Sequence, residues 1–121
     1  MTQFASILDQ ANDARTRIRE IESSEIDRLL NAAAIFLDVR EENEFEGGHL
    51  PGAIQLSWKE LRERAVEVLP SFTAPIVAYC TIGHRSAIAA DILRELGYQD
   101  VVSIKGGLQA YDAQPRLRAV A

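Results

Sequence analysis

Phe4, Ile7, Leu8, Ala11, Ala14 and Ile18 recur at three- and four-residue spacing with polar residues between them. That period predicts an amphipathic helix from residue 4 to about 16. Its apolar stripe is expected to dock on the rest of the domain, with a partner surface or a dimer contact as alternatives. Ile18 and Ile21 mark a short strand. Ser23-Ser24 then opens a helix carrying Ile26, Leu29 and Leu30, and Ser24 with Asp27 has capping-box spacing. A buried-type strand is expected over 35–39 and one helical turn over 41–45. The glycines and proline of 47–52 mark a loop. A short strand over 53–56 leads to Ser57, whose spacing to Glu60 again suits a capping box. The helix that follows puts Trp58, Leu61, Ala65 and Leu69 on one face, and Pro70 and Pro75 end it. Then come a strand over 76–80, a helix over 85–96 with Gly97 just past its end, a strand over 101–104 and a short helix over 107–113.

Strands alternating with helices imply an α/β fold with a mostly parallel sheet covered on both faces. Such sheets bind ligands beyond the carboxyl ends of their strands. Asp38-Val39-Arg40, Ser57-Trp58, the run from Cys80 to Ser86, and Lys105-Gly106-Gly107 all follow predicted strands, so all are expected at one end of the sheet.

Composition narrows the function. The chain has 121 residues, 47% of them hydrophobic, which suits one domain with its own core. A net charge of −5 argues against a nucleic-acid partner. No basic cluster suits a membrane surface, no apolar run is long enough to span one, and the first residues lack the charged and apolar regions of a secretory signal. A single cysteine permits no internal disulfide, and a reduced, cytoplasmic setting is expected.

That cysteine, Cys80, closes the run Ile76-Val77-Ala78-Tyr79 and precedes Thr81-Ile82-Gly83-His84-Arg85-Ser86 and a helical pattern. A strand, a turn and a helix place the thiol at a helix N-terminus, where unused backbone N–H groups can converge on one point. The positive end of a helix favours the thiolate. The arrangement makes a nucleophile and holds an anion in front of it. The plain alternative, a buried core cysteine, accounts for its place at a strand end but not for Gly83, Ser86 and the helix start.

In this loop the chain resembles the rhodanese (sulfurtransferase) family. Three other segments carry the same resemblance: Leu37-Asp38-Val39-Arg40 with Glu41, Glu44 and Phe45; Gly48-His49-Leu50-Pro51-Gly52-Ala53; and Gly97-Tyr98 with Gly106-Gly107-Leu108-Gln109-Ala110-Tyr111. They span most of the chain, from about Ile18 to Tyr111, in the family's order. The resemblance implies a rhodanese-like domain over 17–121, with a five-stranded sheet and helices on both faces, preceded by a helical extension over 1–16. It implies a thiosulfate sulfurtransferase that carries sulfur as a persulfide on Cys80. The donor would be a small molecule such as thiosulfate. The acceptor would be cyanide or a thiol, including a protein thiol. No metal or organic cofactor is implied.

The roles of the other site residues stay open in the sequence. The loop from Thr81 through Ile82, Gly83, His84, Arg85 and Ser86 is the expected substrate cradle. Gly83 suits a turn with positive φ and an unobstructed N–H. Ser86 either caps the helix or donates to the sulfur. Arg85 either pairs with Glu41, Glu44 or another carboxylate, or grips the donor's oxyanion in a fork; binding is favoured because Thr81 supplies no charge. His84 is an exposed loop residue or tunes docking. Asp38, Arg40 and Trp58 are expected to support the site, the first two by tying down their loop and Trp58 as core or pocket wall. His49 is expected to hold its own loop by hydrogen bonding. Gly106-Gly107 allows close approach beside the site. Tyr111 stands where the family usually has tryptophan. Thr81 stands where thiosulfate-using members often have arginine, which removes one sulfonate clamp. Two rivals are a non-catalytic binding module and a phosphatase or arsenate reductase of the same fold; phosphate-binding relatives have a loop one residue longer.

Overall fold

A computed structural model describes residues 6–113. The helix α1 (Ile7–Ala14) leads to strand β1 (Arg19–Ile21), a 3-10 turn over Ser23–Glu25 and helix α2 (Ile26–Leu30). Strand β2 (Ile35–Asp38), helix α3 (Glu42–Glu46) and strand β3 (Ile54–Gln55) follow. Next come a 3-10 turn over Trp58–Glu60, helix α4 (Leu61–Val68), strand β4 (Ile76–Tyr79) and helix α5 (His84–Leu96). Strand β5 (Val101–Ile104) and helix α6 (Gly107–Ala113) complete the order. The five strands form one parallel sheet in the order β1-β5-β4-β2-β3.

β4 lies at the centre, and all four of its residues are buried. This explains an apolar run without alternation: both faces are covered. Ile76, Ala78 and Cys80 join one core with Leu61 and Ala65 of α4, Leu69 just past it, and Ala89 and Leu93 of α5. Val77 and Tyr79 join the opposite core with Ile26, Leu50, Val102 and Ile104. Cys80 is thus anchored in the first core just past the strand, where the chain must turn.

The elements follow the hydrophobic pattern, with local differences. α1 begins after Ser6, whose hydroxyl accepts the Asp9 N–H at 3.0 Å, and it ends at Ala14. Phe4 lies outside the described residues. Ala11 is buried against Ala87 and Ile88 of α5 and Ala14 is also buried, but Ile7 and Leu8 are 44% and 49% exposed. The docking stripe is therefore narrower than its sequence spacing suggests. The Ser24–Asp27 capping box does not form: neither start in that stretch has a side-chain cap, and Asp27 instead accepts the Tyr111 hydroxyl. Ser57 accepts the Lys59 N–H but donates to Glu41, and Glu60 is drawn to Arg64. The helix predicted there opens with a 3-10 turn instead. Helix α5 stops at Gly97, which has φ 109°, and the Tyr98 hydroxyl donates to Leu69 O at 2.6 Å.

Candidate active site

All the segments that follow β2, β3, β4 and β5 meet at one end of the sheet. The Cys80 side chain sits there, fully enclosed. Two backbone N–H groups point at its sulfur: Gly83 at 3.1 Å and Ser86 at 3.3 Å. The Ser86 hydroxyl lies 3.5 Å from the sulfur. A helix start leaves its first N–H groups without intrahelical acceptors. In α5 two of these take the sulfur, and those of His84 and Arg85 have no partner among the described residues. The loop thus offers the donors that a thiolate or terminal persulfide needs.

Gly83 adopts φ 97°, which turns the chain between the thiol and the helix. Gly107 is the second conformational requirement. A Cβ there would stand 2.4 Å from Cys80 O and 2.6 Å from Thr81 O. The bare backbone lets the start of α6 approach the loop, so that Leu108 and Gln109 donate to those carbonyls at 2.9 Å each. The double glycine therefore pins the nucleophile loop from behind.

Ser86 belongs to a buried hydroxyl pair. Its Oγ lies 2.8 Å from Ser103 Oγ and 3.3 Å from Gly83 O, and both serines are fully buried. In this arrangement Ser86 Oγ accepts from the Cys80 thiol and donates its own proton to Gly83 O. Sequence reasoning did not find Ser103, because one serine in an apolar strand carries no pattern.

Arg85 lies fork to fork on Glu44, with Nη1–Oε1 at 2.8 Å and Nη2–Oε2 at 3.0 Å, and its Nη2 also reaches Thr81 Oγ1 at 3.3 Å. The pairing is the arrangement present; the oxyanion fork favoured from the sequence is occupied by a carboxylate. Arg85 holds the Glu44 carboxyl well below its ordinary range, to about 2, with the Glu41 N–H assisting and burial opposing. Glu44 in return raises the Arg85 guanidinium. Glu44 and Thr81 both line two openings beside the loop. One is a groove of about 800 Å³ bordered by Arg40, His49 and Gln109; the other, of about 340 Å³, is bordered by Ile7, Ile82 and His84.

Asp38 and Arg40 form a buried fork, with Nη2–Oδ2 at 2.7 Å, and Arg40 also donates to Gly48 O at 2.7 Å. They tie the loop after β2 to the glycine loop. Charges buried this deeply persist because each is fully paired. His49 donates from Nδ1 to Phe45 O at 2.8 Å and stacks on the Phe45 ring. Trp58 does not reach the nucleophile loop. It packs against both the α4–α5 core and the α1–α5 cluster, and walls a separate cavity there. A further contact was not legible in the sequence: Arg15, at the end of α1, donates from Nη2 to Gly83 O and to His84 Nδ1, each at 3.1 Å.

The rhodanese-like domain family model matches residues 22–114, most of the chain. The chain belongs to the rhodanese-like domain family. The thiosulfate sulfurtransferase PspE of Escherichia coli is 34% identical over 87 residues, 72% of this rhodanese-like chain and 82% of that protein. The uncharacterized protein YqhL of Bacillus subtilis is 38% identical over 78 residues, 64% of this chain; the match spans 60% of that protein's length. A rhodanese-related protein of Thermoplasma volcanium has a similar structure, with a TM-score of 0.70 and 30% identity over 80% of this chain and 95% of that one. Among the described residues, no helix is long and apolar enough to cross a membrane.

Proposed function

We propose that this rhodanese-like domain is a sulfurtransferase that carries sulfane sulfur on Cys80. The observation that carries the reading is the pair of N–H groups, Gly83 and Ser86, aimed at the Cys80 sulfur from the start of α5. The sulfurtransferase name of a relative 34% identical over 72% of the chain supports the same chemistry.

The Cys80 thiolate attacks the outer sulfur of a donor such as thiosulfate. The new Cys80 S–S bond forms as the donor's S–S bond breaks, and sulfite leaves with the electron pair. The persulfide that results is an anion, and the amides that held the thiolate hold its terminal sulfur. A second thiophile, cyanide or a small-molecule or protein thiolate, then attacks that terminal sulfur. Thiocyanate or a new persulfide leaves, and the Cys80 thiolate returns. Each step is a two-electron displacement that balances without a metal or organic cofactor. A reducing compartment such as the cytoplasm suits a cycle that depends on one free thiol.

The direct test is transfer from thiosulfate to cyanide by the wild type and by Cys80→Ser. Serine is nearly isosteric but stays protonated near neutral pH, so transfer is expected to vanish while the melting curve is kept. Turnover that survives in the variant defeats the reading. Phosphate-monoester hydrolysis that depends on Cys80 would instead favour the phosphatase chemistry of related folds.

A further inference from the structure

We propose that Arg15 is a positioning residue of the anion cradle, acting on it from behind through Gly83 and His84. The inference rests on the sulfur-transfer reading and extends the site to a residue before the family match, which begins at residue 22.

Arg15 stands at the C-cap of α1. Its guanidinium is held on two sides, by Glu20 Oε2 at 3.0 Å from Nε and by Asn12 Oδ1 at 3.0 Å from Nη1. The third nitrogen, Nη2, is thereby aimed at Gly83 O and His84 Nδ1. The fork of donors is rigid, so fixing two nitrogens fixes the third.

Two consequences follow at the cradle. Gly83 O and the His84 N–H belong to one peptide unit. A cation on the carbonyl polarises that unit and makes the His84 N–H a stronger donor. That N–H is one of the two at the start of α5 without a partner among the described residues, so it is available to the incoming anion. Arg15 also fills acceptor capacity on Gly83 O, to which the Ser86 hydroxyl donates, and an anionic sulfur 3.5 Å from Ser86 Oγ is the alternative acceptor for that proton. Both effects increase donation toward the sulfur site. At His84, arginine offers only donors, so Nδ1 must present its lone pair and the ring proton sits on Nε2.

α1 is also tethered elsewhere, which provides a control. Arg17 Nη2 lies 2.8 Å from Asp91 Oδ2 of α5 and touches nothing in the nucleophile loop. Arg17→Met loosens the same segment without altering the cradle.

The experiment compares the full-length wild type, Arg15→Met, Arg15→Lys and Arg17→Met. It reads Cys80 alkylation by iodoacetamide, thiosulfate-to-cyanide transfer, melting curves and the nitrogen resonances of the His84 ring. Arg15→Met is expected to slow alkylation and to lower kcat roughly tenfold, the scale of one hydrogen bond to a charged group, with KM changed less. Arg15→Lys is expected to recover part of the loss. Arg17→Met is expected to lower the melting temperature and keep the alkylation rate. The wild-type His84 ring is expected to be the Nε2–H tautomer. Alkylation within twofold of wild type in Arg15→Met, or an equal loss in Arg17→Met, overturns the proposal. So does a wild-type His84 proton on Nδ1, which decides the matter even if Arg15→Met does not fold. A wild type that transfers no sulfur ends the sulfur-transfer reading instead, while alkylation and the ring spectra still decide the role of Arg15.

Discussion

Arg85 and Glu44 are joined by two parallel hydrogen bonds of 2.8 and 3.0 Å, and Glu44 of this fork lines both openings beside the nucleophile loop. It joins the first turn of α5 to the short helix after β2. A guanidinium already satisfied by a carboxylate is a poor free clamp for a donor's oxyanion.

Arg85→Lys is therefore expected to act on structure. Lysine keeps the charge but loses the planar fork. The pair is partly exposed, so the loss of stability should be about 1 kcal/mol or less. The losses in kcat/KM should be equal for an anionic and a neutral sulfur donor, with a lower melting temperature. A selective loss for the anionic donor at unchanged melting temperature would show that the fork opens to bind substrate.

The same pair sets an acid limb. Glu44 is lowered from an ordinary value of 4.5 to about 2 by Arg85. A depressed carboxyl stabilises the fold above its unfolded value, and that contribution is lost as pH falls from about 4.5 toward 2. Glu44→Gln should lower stability near neutral pH and flatten this part of the pH–stability curve. Unfolding free energies at pH 7, 4 and 2.5 check the sign: parallel curves for wild type and variant would contradict the assignment.

Gly107→Ala should damage the loop directly. Its Cβ would meet the Cys80 and Thr81 carbonyls at 2.4 and 2.6 Å, at a φ of 58° that L residues rarely adopt. Backbone atoms cannot swing aside as a side chain can, so the loop or α6 must shift. Strain of about 1–3 kcal/mol is expected, together with a fall in Cys80 alkylation greater than that of Gly52→Ala, where nothing crowds the added carbon. Unchanged alkylation in Gly107→Ala would mean that α6 does not set the loop.

The fold was largely legible because its signals are local. The buried run at β4, the glycine that ends α5 and the hydrophobic periods of the helices each report on neighbours in sequence. The placement of Cys80 before a helix start was legible for the same reason. What escaped was set by distant pairings. Ser24 and Ser57 have capping-box spacing, yet Ser57 caps only a 3-10 turn while Glu60 pairs with Arg64, and the Asp27 needed by Ser24 accepts from Tyr111. Arg85 could not be assigned from its own segment, because its partner is 41 residues away. Arg15 meets the loop 68 residues on, and Ser103 meets Ser86 across 17. Trp58 follows a strand like the site residues, but the docking of α1 on α5 builds the cluster that receives it.

Whether Cys80 carries the transferred sulfur is decided by intact-mass measurement. The protein is incubated with thiosulfate, freed of excess donor and weighed, alongside Cys80→Ser treated identically. One added sulfur atom is expected on the wild type, removed by cyanide, and none on the variant. An unchanged wild-type mass, or the same addition on Cys80→Ser, would contradict sulfur transfer through Cys80.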